Sequence, residues 1–241
     1  MNCLLLGAGY VGRAAIGRLK KNGIKTAIYS RSPKEGELKW PGQIPPTFDT
    51  CLFAVAPDSP DKYKEAYLDN AKILAKSGLK RIIYTSSTSV YGEYKGAVVT
   101  EETPMQALSE RAQILIDTEK VLMDSGKDIL IFRLGEVIGP GRELGKRLKD
   151  RTSAPGTGEN RVNVSPLEAI VAGIEFGFRT ELKGIFNLVA DFHPTRKELY
   201  KELKPDLVWD STKETPHGGN KIVSSQKLQD AGFQFPEFQL Y

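Results

Sequence analysis

Three glycines, Gly7, Gly9 and Gly12, follow the apolar run Leu4-Leu5-Leu6 in a Gly-x-Gly-x-x-Gly spacing, with Tyr10 and Val11 inside the motif. Between a strand and a helix, the first glycine permits a tight turn and the second lets the backbone approach a pyrophosphate. The third lets the helix pack close to the strand. The helix N-terminus then turns its N–H groups toward the negative charge. The spacing therefore predicts a dinucleotide site, set against the plainer alternative of a tight turn with no ligand. An acidic residue about 20 positions further on would bind the ribose hydroxyls of NAD. Here the second strand ends Tyr29-Ser30-Arg31-Ser32. Arg31 can pair with a 2′-phosphate, Ser30 and Ser32 can donate to it, and no carboxylate lies in that stretch to repel it. NADP is the expected cofactor, with NAD as the alternative and a solvent-facing Arg31 as the plain reading.

The elements that must position these residues follow from periodicity. Strand-like runs lie near residues 2–6, 25–30, 50–56, 80–85, 128–133 and 185–189. Helical patterns fall between them: Val11, Ala15 and Leu19; Tyr63, Tyr67, Ala71 and Leu74; Ala112, Leu115, Ile116 and Leu122. This alternation predicts an α/β protein, a Rossmann-type doubly wound parallel sheet covered on both faces, with ligands at the carboxyl ends of its strands. Ser165-Pro166-Leu167-Glu168 has the form of a capping box, which makes Glu168 a helix cap rather than a catalytic acid. Residues 139–161, rich in glycine and basic side chains, look like a long exposed connection. The expected division is a dinucleotide-binding domain over 1–138 plus about 162–190. A small C-terminal substrate lobe takes about 139–161 plus 191–241.

The 241 residues can bury one sizeable core, and 40% apolar with 27% charged residues is ordinary for a globular protein. No apolar run approaches the ~20 residues needed to cross a bilayer, so neither a membrane partner nor a signal peptide is expected, and a cytoplasmic location is. A net charge of +4 is too small to argue for nucleic acid. No acidic residue precedes Glu35, whereas Arg13, Arg18, Lys20, Lys21, Lys25, Arg31 and Lys34 do, a bias that suits an anionic cofactor as well as solvated helix faces. Cys3 and Cys51 lie in strand-like runs and read as two buried thiols. His193 and His217, each beside proline, form no metal-site pattern.

The segment Arg81-Ile82-Ile83-Tyr84-Thr85-Ser86-Ser87-Thr88-Ser89-Val90-Tyr91-Gly92 resembles the fifth strand of extended short-chain dehydrogenase/reductases, the relatives of nucleotide-sugar epimerases and dehydratases. Thr100-Glu101-Glu102-Thr103-Pro104, Phe132-Arg133-Leu134, Ile138-Gly139-Pro140-Gly141, Val162-Asn163-Val164 and Gly184-Ile185-Phe186-Asn187-Leu188 agree with it, in the family's order. The resemblance implies a nicotinamide dinucleotide held by the glycine turn, Ser30, Arg31, Ser32, Val55, Ala56 and Ser86. It implies a catalytic Ser87, and a small-molecule substrate near Ser87, Gly139, Pro140 and Asn163.

The chain departs from that family in three ways. The family's chemistry needs a tyrosine about 25 residues after the serine and a lysine four positions later on the same helix face. The lysine ammonium there lowers a phenol pKa of ~10. No tyrosine lies between Tyr94 and Tyr200, so the couple is missing. Tyr91 to Lys95 and Tyr200 to Lys204 have the spacing in the wrong surroundings. Leu6 stands where extended members carry their first glycine, and the chain is short. Tyr91, Glu136 or Arg111 are the candidates for the missing proton transfer. Two functions remain open: an oxidoreductase or epimerase/dehydratase-like enzyme, for which the basic 142–151 segment suits an anionic substrate, or a non-catalytic NAD(P)-binding sensor or scaffold. Phe233, Phe235, Phe238 and Tyr241 could pack internally or form a dimer contact, leaving monomer or homodimer.

Overall fold

Each of the six apolar runs forms a strand. They are β1 (Asn2–Leu6), β2 (Lys25–Ser30), β4 (Thr50–Phe53), β5 (Arg81–Ser87), β6 (Asp128–Leu134) and β7 (Gly184–Leu188). A two-residue edge strand, β3 (Leu38–Lys39), joins them. The computed structural model describes residues 1–213 and 219–239, so His217 and Tyr241 lie outside the described residues. The chain divides into two units. The first is Met1–Ser86, Gln113–Arg133 and Val171–Phe186; the second is Ser87–Ala112, Leu134–Ile170 and Asn187–Tyr241.

The first unit is built on a seven-stranded sheet in the order β7-β6-β5-β4-β1-β2-β3. Parallel registers join β1 to β2, β1 to β4, β2 to β3 and β4 to β5. This is the doubly wound Rossmann arrangement. The chain runs outward from β1 through β2 and β3, then returns to β4 on the other side of β1. That reversal leaves a crevice at the carboxyl ends of β1 and β4. The strands are apolar on both faces, as a covered parallel sheet requires. Leu4, Cys51, Ile82 and Ile131 pack on one face with Ala71 and Leu74 of helix α2 (Asn70–Ala75) and Leu122 of helix α3 (Glu110–Met123). Helix α1 (Tyr10–Lys21) buries Gly12, Ala15 and Leu19. A turn of π-helix, Glu65–Asp69, leads into α2. Helix α4 (Leu167–Arg179) ends on Arg81, whose Nη2 donates to the carbonyls of Gly177 (2.9 Å) and Leu182 (2.8 Å), a cation placed at the negative end of a helix. Cys3 and Cys51 are free and buried, and burial pushes the Cys3 thiol up to about 12, so neither is a reactive thiolate.

The second unit corrects two expectations. Ser165 does not cap a helix. With Val164 and Pro166 it forms a short strand parallel to Glu136–Ile138, and the helix starts at Leu167. Its Oγ donates to the Leu188 carbonyl at 2.5 Å and accepts the Gly135 N–H at 2.8 Å, so the hydroxyl ties three segments together. A capping box does form at Thr195 and Glu198, at the head of the helix Arg196–Leu203. Nor is 139–161 a bare connection, although much of it is exposed as expected. It contains the helix Leu144–Leu148 and the strand Ser153–Pro155, and Leu144, Leu148 and Ala154 are buried. Leu144 packs with Ile138, Val162, Val164 and Leu199, so the segment's few leucines, not its many charges, decide its place.

Candidate functional site

In the first unit the glycine motif occupies the turn between β1 and α1, at the crevice left by the strand reversal. Gly7 has φ +104°, and a Cβ there would lie 2.6 Å from the Ala54 carbonyl oxygen and 2.7 Å from the Val55 Cα. A Cβ on Gly12 would fall 2.1 Å from the Gly7 oxygen, so helix and turn approach too closely for any side chain. Gly9, the N-cap of α1, differs: nothing lies within 4 Å of the Cβ it lacks. Tyr10, Val11 and Gly12 form the first helical turn, which has no acidic residue and no side-chain cap. Two glycines are thus required by protein packing, and the third opens on space before a helix N-terminus. An anionic diphosphate fits that geometry.

At the end of β2 the structure adds something that the local sequence hides. Arg31 Nη2 lies 2.7 Å from Asp58 Oδ2, and its Nη1 lies 3.7 Å from Glu65 Oε1. Lys62 shares Glu65 at 3.4 Å. The carboxylates absent from Tyr29–Ser32 therefore arrive from the segment after β4, which also carries Val55 and Ala56. Close by in sequence, Glu37 accepts from Arg13 Nη2 (2.9 Å) and from the Lys34 N–H (3.1 Å), and these bonds hold its carboxyl below the usual range.

Ser86 closes the first unit. Its buried hydroxyl donates to Glu119 Oε1 at 2.6 Å. Arg133, on β6, donates from Nε to both Glu119 oxygens (3.1 and 3.2 Å) and from Nη2 to Oε2 at 2.7 Å. Both side chains of the pair are almost wholly buried. A charged residue inside the run Ile129-Leu130-Ile131-Phe132-Arg133 was the available signal, because an arginine in a core strand demands a buried anion. Beside it Tyr84 stacks on Phe53 with ring centres 4.8 Å apart, and burial raises its phenol far above the ordinary value.

In the second unit, Ser87 caps a 3₁₀ turn over Thr88–Tyr91, its Oγ accepting the Ser89 N–H at 3.2 Å. The hydroxyl is partly exposed and keeps its own proton to donate. Tyr91 is fully buried, and its hydroxyl donates to Asn187 Oδ1 at 2.7 Å. Asn187 in turn donates its N–H to Glu101 at 2.6 Å. Asn163 has both side-chain atoms on the backbone: Nδ2 donates to the Lys221 carbonyl (2.9 Å), and Oδ1 accepts the Val223 N–H (2.8 Å). Lys221 is itself buried, with Nζ on the Gly92 carbonyl at 3.0 Å. Glu136 pairs with Arg147 at 2.7 Å. Gly139 and Pro140 line a cavity of about 540 Å³ together with Glu143, Leu167, Glu168 and Phe238. Glu143 is held down to about 2 by backbone N–H groups and by Lys146, so it is ionised at neutral pH. His193 is partly buried, its Nδ1 3.3 Å from the Val162 oxygen, and burial lowers its pKa. Among the described residues no three side chains are grouped as metal ligands, and no helix is long and apolar enough to cross a membrane.

The strand order and the glycine turn form a doubly wound Rossmann-type fold, and the chain shares that fold with proteins described as epimerases and short-chain dehydrogenase/reductases. A human epimerase family protein, SDR39U1 (isoform 2) with NADPH, superposes with a TM-score of 0.82 at 17% identity, covering 100% of this chain and 96% of that one. MoeE5 in complex with UDP-glucuronic acid and NAD gives 0.79 at 17% identity, over 99% and 95%. In sequence, Protein YeeZ of Escherichia coli K12 is 32% identical over 184 residues, 71% of this chain. The match spans 65% of that relative's length. No family model matches the chain.

Proposed function

We propose that the glycine turn holds a nicotinamide dinucleotide and that the chain is an NADP(H)-binding oxidoreductase or epimerase/dehydratase-like enzyme acting on a small molecule. One observation carries this reading: Gly7 and Gly12 are locked by backbone at 2.6 and 2.1 Å, while Gly9 faces open space at a helix N-terminus. Proteins of the same fold described with NADPH and with NAD support it. Gly9, Tyr10, Val11 and Gly12 would hold the diphosphate. Ser30, Arg31 and Ser32 would favour NADP, and Val55 and Ala56 would flank the bound nucleotide. The nicotinamide, when bound, supplies hydride transfer. The chain's own part is to orient the substrate, and Ser87 can do so by donating its hydroxyl proton to a substrate oxygen. The carboxylates lining the Gly139-Pro140 cavity favour a hydroxyl-bearing, uncharged portion of the substrate there over an anionic one.

The buried hydroxyl of Tyr91 favours a second reading, a sensor or scaffold that kept the cofactor and lost turnover. Calorimetric titration with NADP and NAD, followed by a substrate screen on NADPH absorbance, tests both. Binding that disappears in Gly9→Glu, with turnover that disappears in Ser87→Ala, supports the enzyme. Tight binding with no turnover supports the sensor. Failure of the folded protein to bind either dinucleotide at millimolar levels refutes the cofactor site.

A further inference from the structure

Arg31 is the obvious partner for a 2′-phosphate, yet its guanidinium is already engaged. The two Nη groups form the edge that pairs fork-to-fork with a phosphate. One of them is held by Asp58 at 2.7 Å, and the other faces Glu65 at 3.7 Å. With Lys62 on Glu65 at 3.4 Å, the cluster carries two cations and two anions and so offers a phosphate little net attraction. The two carboxylates are not equally held. Glu65 is half-exposed and shared with a lysine, whereas Asp58 is 79% exposed and its one ion-pair partner among the described residues is Arg31.

From this geometry, which rests on the cofactor reading above, we propose that Asp58 is the residue that sets the balance between NADP and NAD. It supplies from the segment after β4 the carboxylate that the end of β2 lacks. In that position it can accept from the free 2′-hydroxyl of NAD, the role an acidic residue at the end of the second strand plays in NAD sites. A 2′-phosphate must instead displace Asp58 from Arg31 and is repelled by it. The protein consequently accepts both dinucleotides with a narrow preference. Arg31 pulls toward NADP, Asp58 pulls toward NAD, and Glu65 adds a smaller effect of the same sign as Asp58.

The experiment is calorimetric titration of the full chain with NADP and with NAD, for the parent, Asp58→Asn, Glu65→Gln, Arg31→Ala and Arg31→Ala/Asp58→Asn. Asp58→Asn is expected to move the NADP:NAD affinity ratio toward NADP by roughly tenfold at low salt, and by less at high salt, because an exposed charge is screened. Glu65→Gln should move it the same way by roughly two- to threefold, the weaker effect expected of the longer contact. Arg31→Ala should reverse the ratio and remove most of the gain from Asp58→Asn. An unchanged ratio in Asp58→Asn, or one shifted toward NAD, overturns the assignment while leaving the cofactor site intact. A parent that binds neither dinucleotide overturns both.

Discussion

The glycine turn of the first unit and the hydroxyl-bearing strand end around Ser86 to Tyr91 carry two halves of one expected chemistry, but they are made in different ways. At the turn, backbone shape is the function: Gly7 and Gly12 press against carbonyls, and Gly9 leaves room. At the strand end the functional groups are side chains, and most are engaged inside their own unit. Ser86 donates to Glu119, Tyr91 donates to Asn187, and Ser87 caps a 3₁₀ turn. A backbone-defined site survives sequence change so long as its glycines stay. A side-chain site depends on what each hydroxyl bonds, and here those of Ser86 and Tyr91 are taken up by Glu119 and Asn187.

The sharpest way to break the comparison is to add one methyl group at each of two glycines. Gly12→Ala forces a Cβ to 2.1 Å from a carbonyl oxygen that cannot move without opening the turn. A loss of about 3 kcal/mol or more in urea-monitored stability is expected. Gly9→Ala meets nothing, so its stability should change by less than about 1 kcal/mol, while dinucleotide affinity falls because the methyl group fills the cradle. Equal stability losses at the two positions would show that the turn is not defined by backbone contact.

The next largest effect lies under Ser86. Removing one partner of a buried ion pair strands the other charge and costs about 3–5 kcal/mol, whereas replacing both with apolar groups of similar volume is often neutral. Glu119→Leu and Arg133→Met should each lower the urea midpoint strongly, and the double variant should recover most of the loss. If the strand end is organised by this pair, the double variant will fold but lose order at Ser86, seen as faster amide exchange there than in the parent. Unchanged exchange would mean that the pair fills space and positions nothing.

The ease of reading the two regions from sequence differed for the same physical reason. The turn was legible because a three-glycine spacing after Leu4-Leu5-Leu6 encodes local backbone geometry, and local geometry needs no partner from elsewhere. Strands and most helices were legible through periodicity, which is also local. Asp58 on Arg31 was not, since the residue just after β2 meets one from the segment after β4, with β1 lying between the two strands, and nothing in Tyr29–Ser32 hints at residues 27 and 34 positions away. Ser165 misled for the opposite reason: its local pattern is that of a helix cap, but its hydroxyl bridges Gly135 and Leu188 instead. The helix Leu144–Leu148 was hidden because its two buried leucines sit among glycines and basic residues, which dominate any reading by composition.

The smallest effects separate packing from chemistry within the strand end itself. Tyr91→Phe removes the donor to Asn187 in a fully buried place and should cost about 1–2 kcal/mol, the range for a buried acceptor left unpaired. Ser87→Ala removes only a partly exposed cap from a single 3₁₀ turn, and about 0.5–1 kcal/mol is expected. Their ranking on turnover should be the reverse. Ser87 has a proton to donate, so its loss should abolish any NADPH-linked activity at near-parental stability, whereas Tyr91→Phe should leave activity in proportion to the folded fraction. Activity that follows Tyr91 instead would mean that the phenol leaves Asn187 during the reaction, and the buried hydroxyl, not the exposed one, would then be the group that meets the substrate.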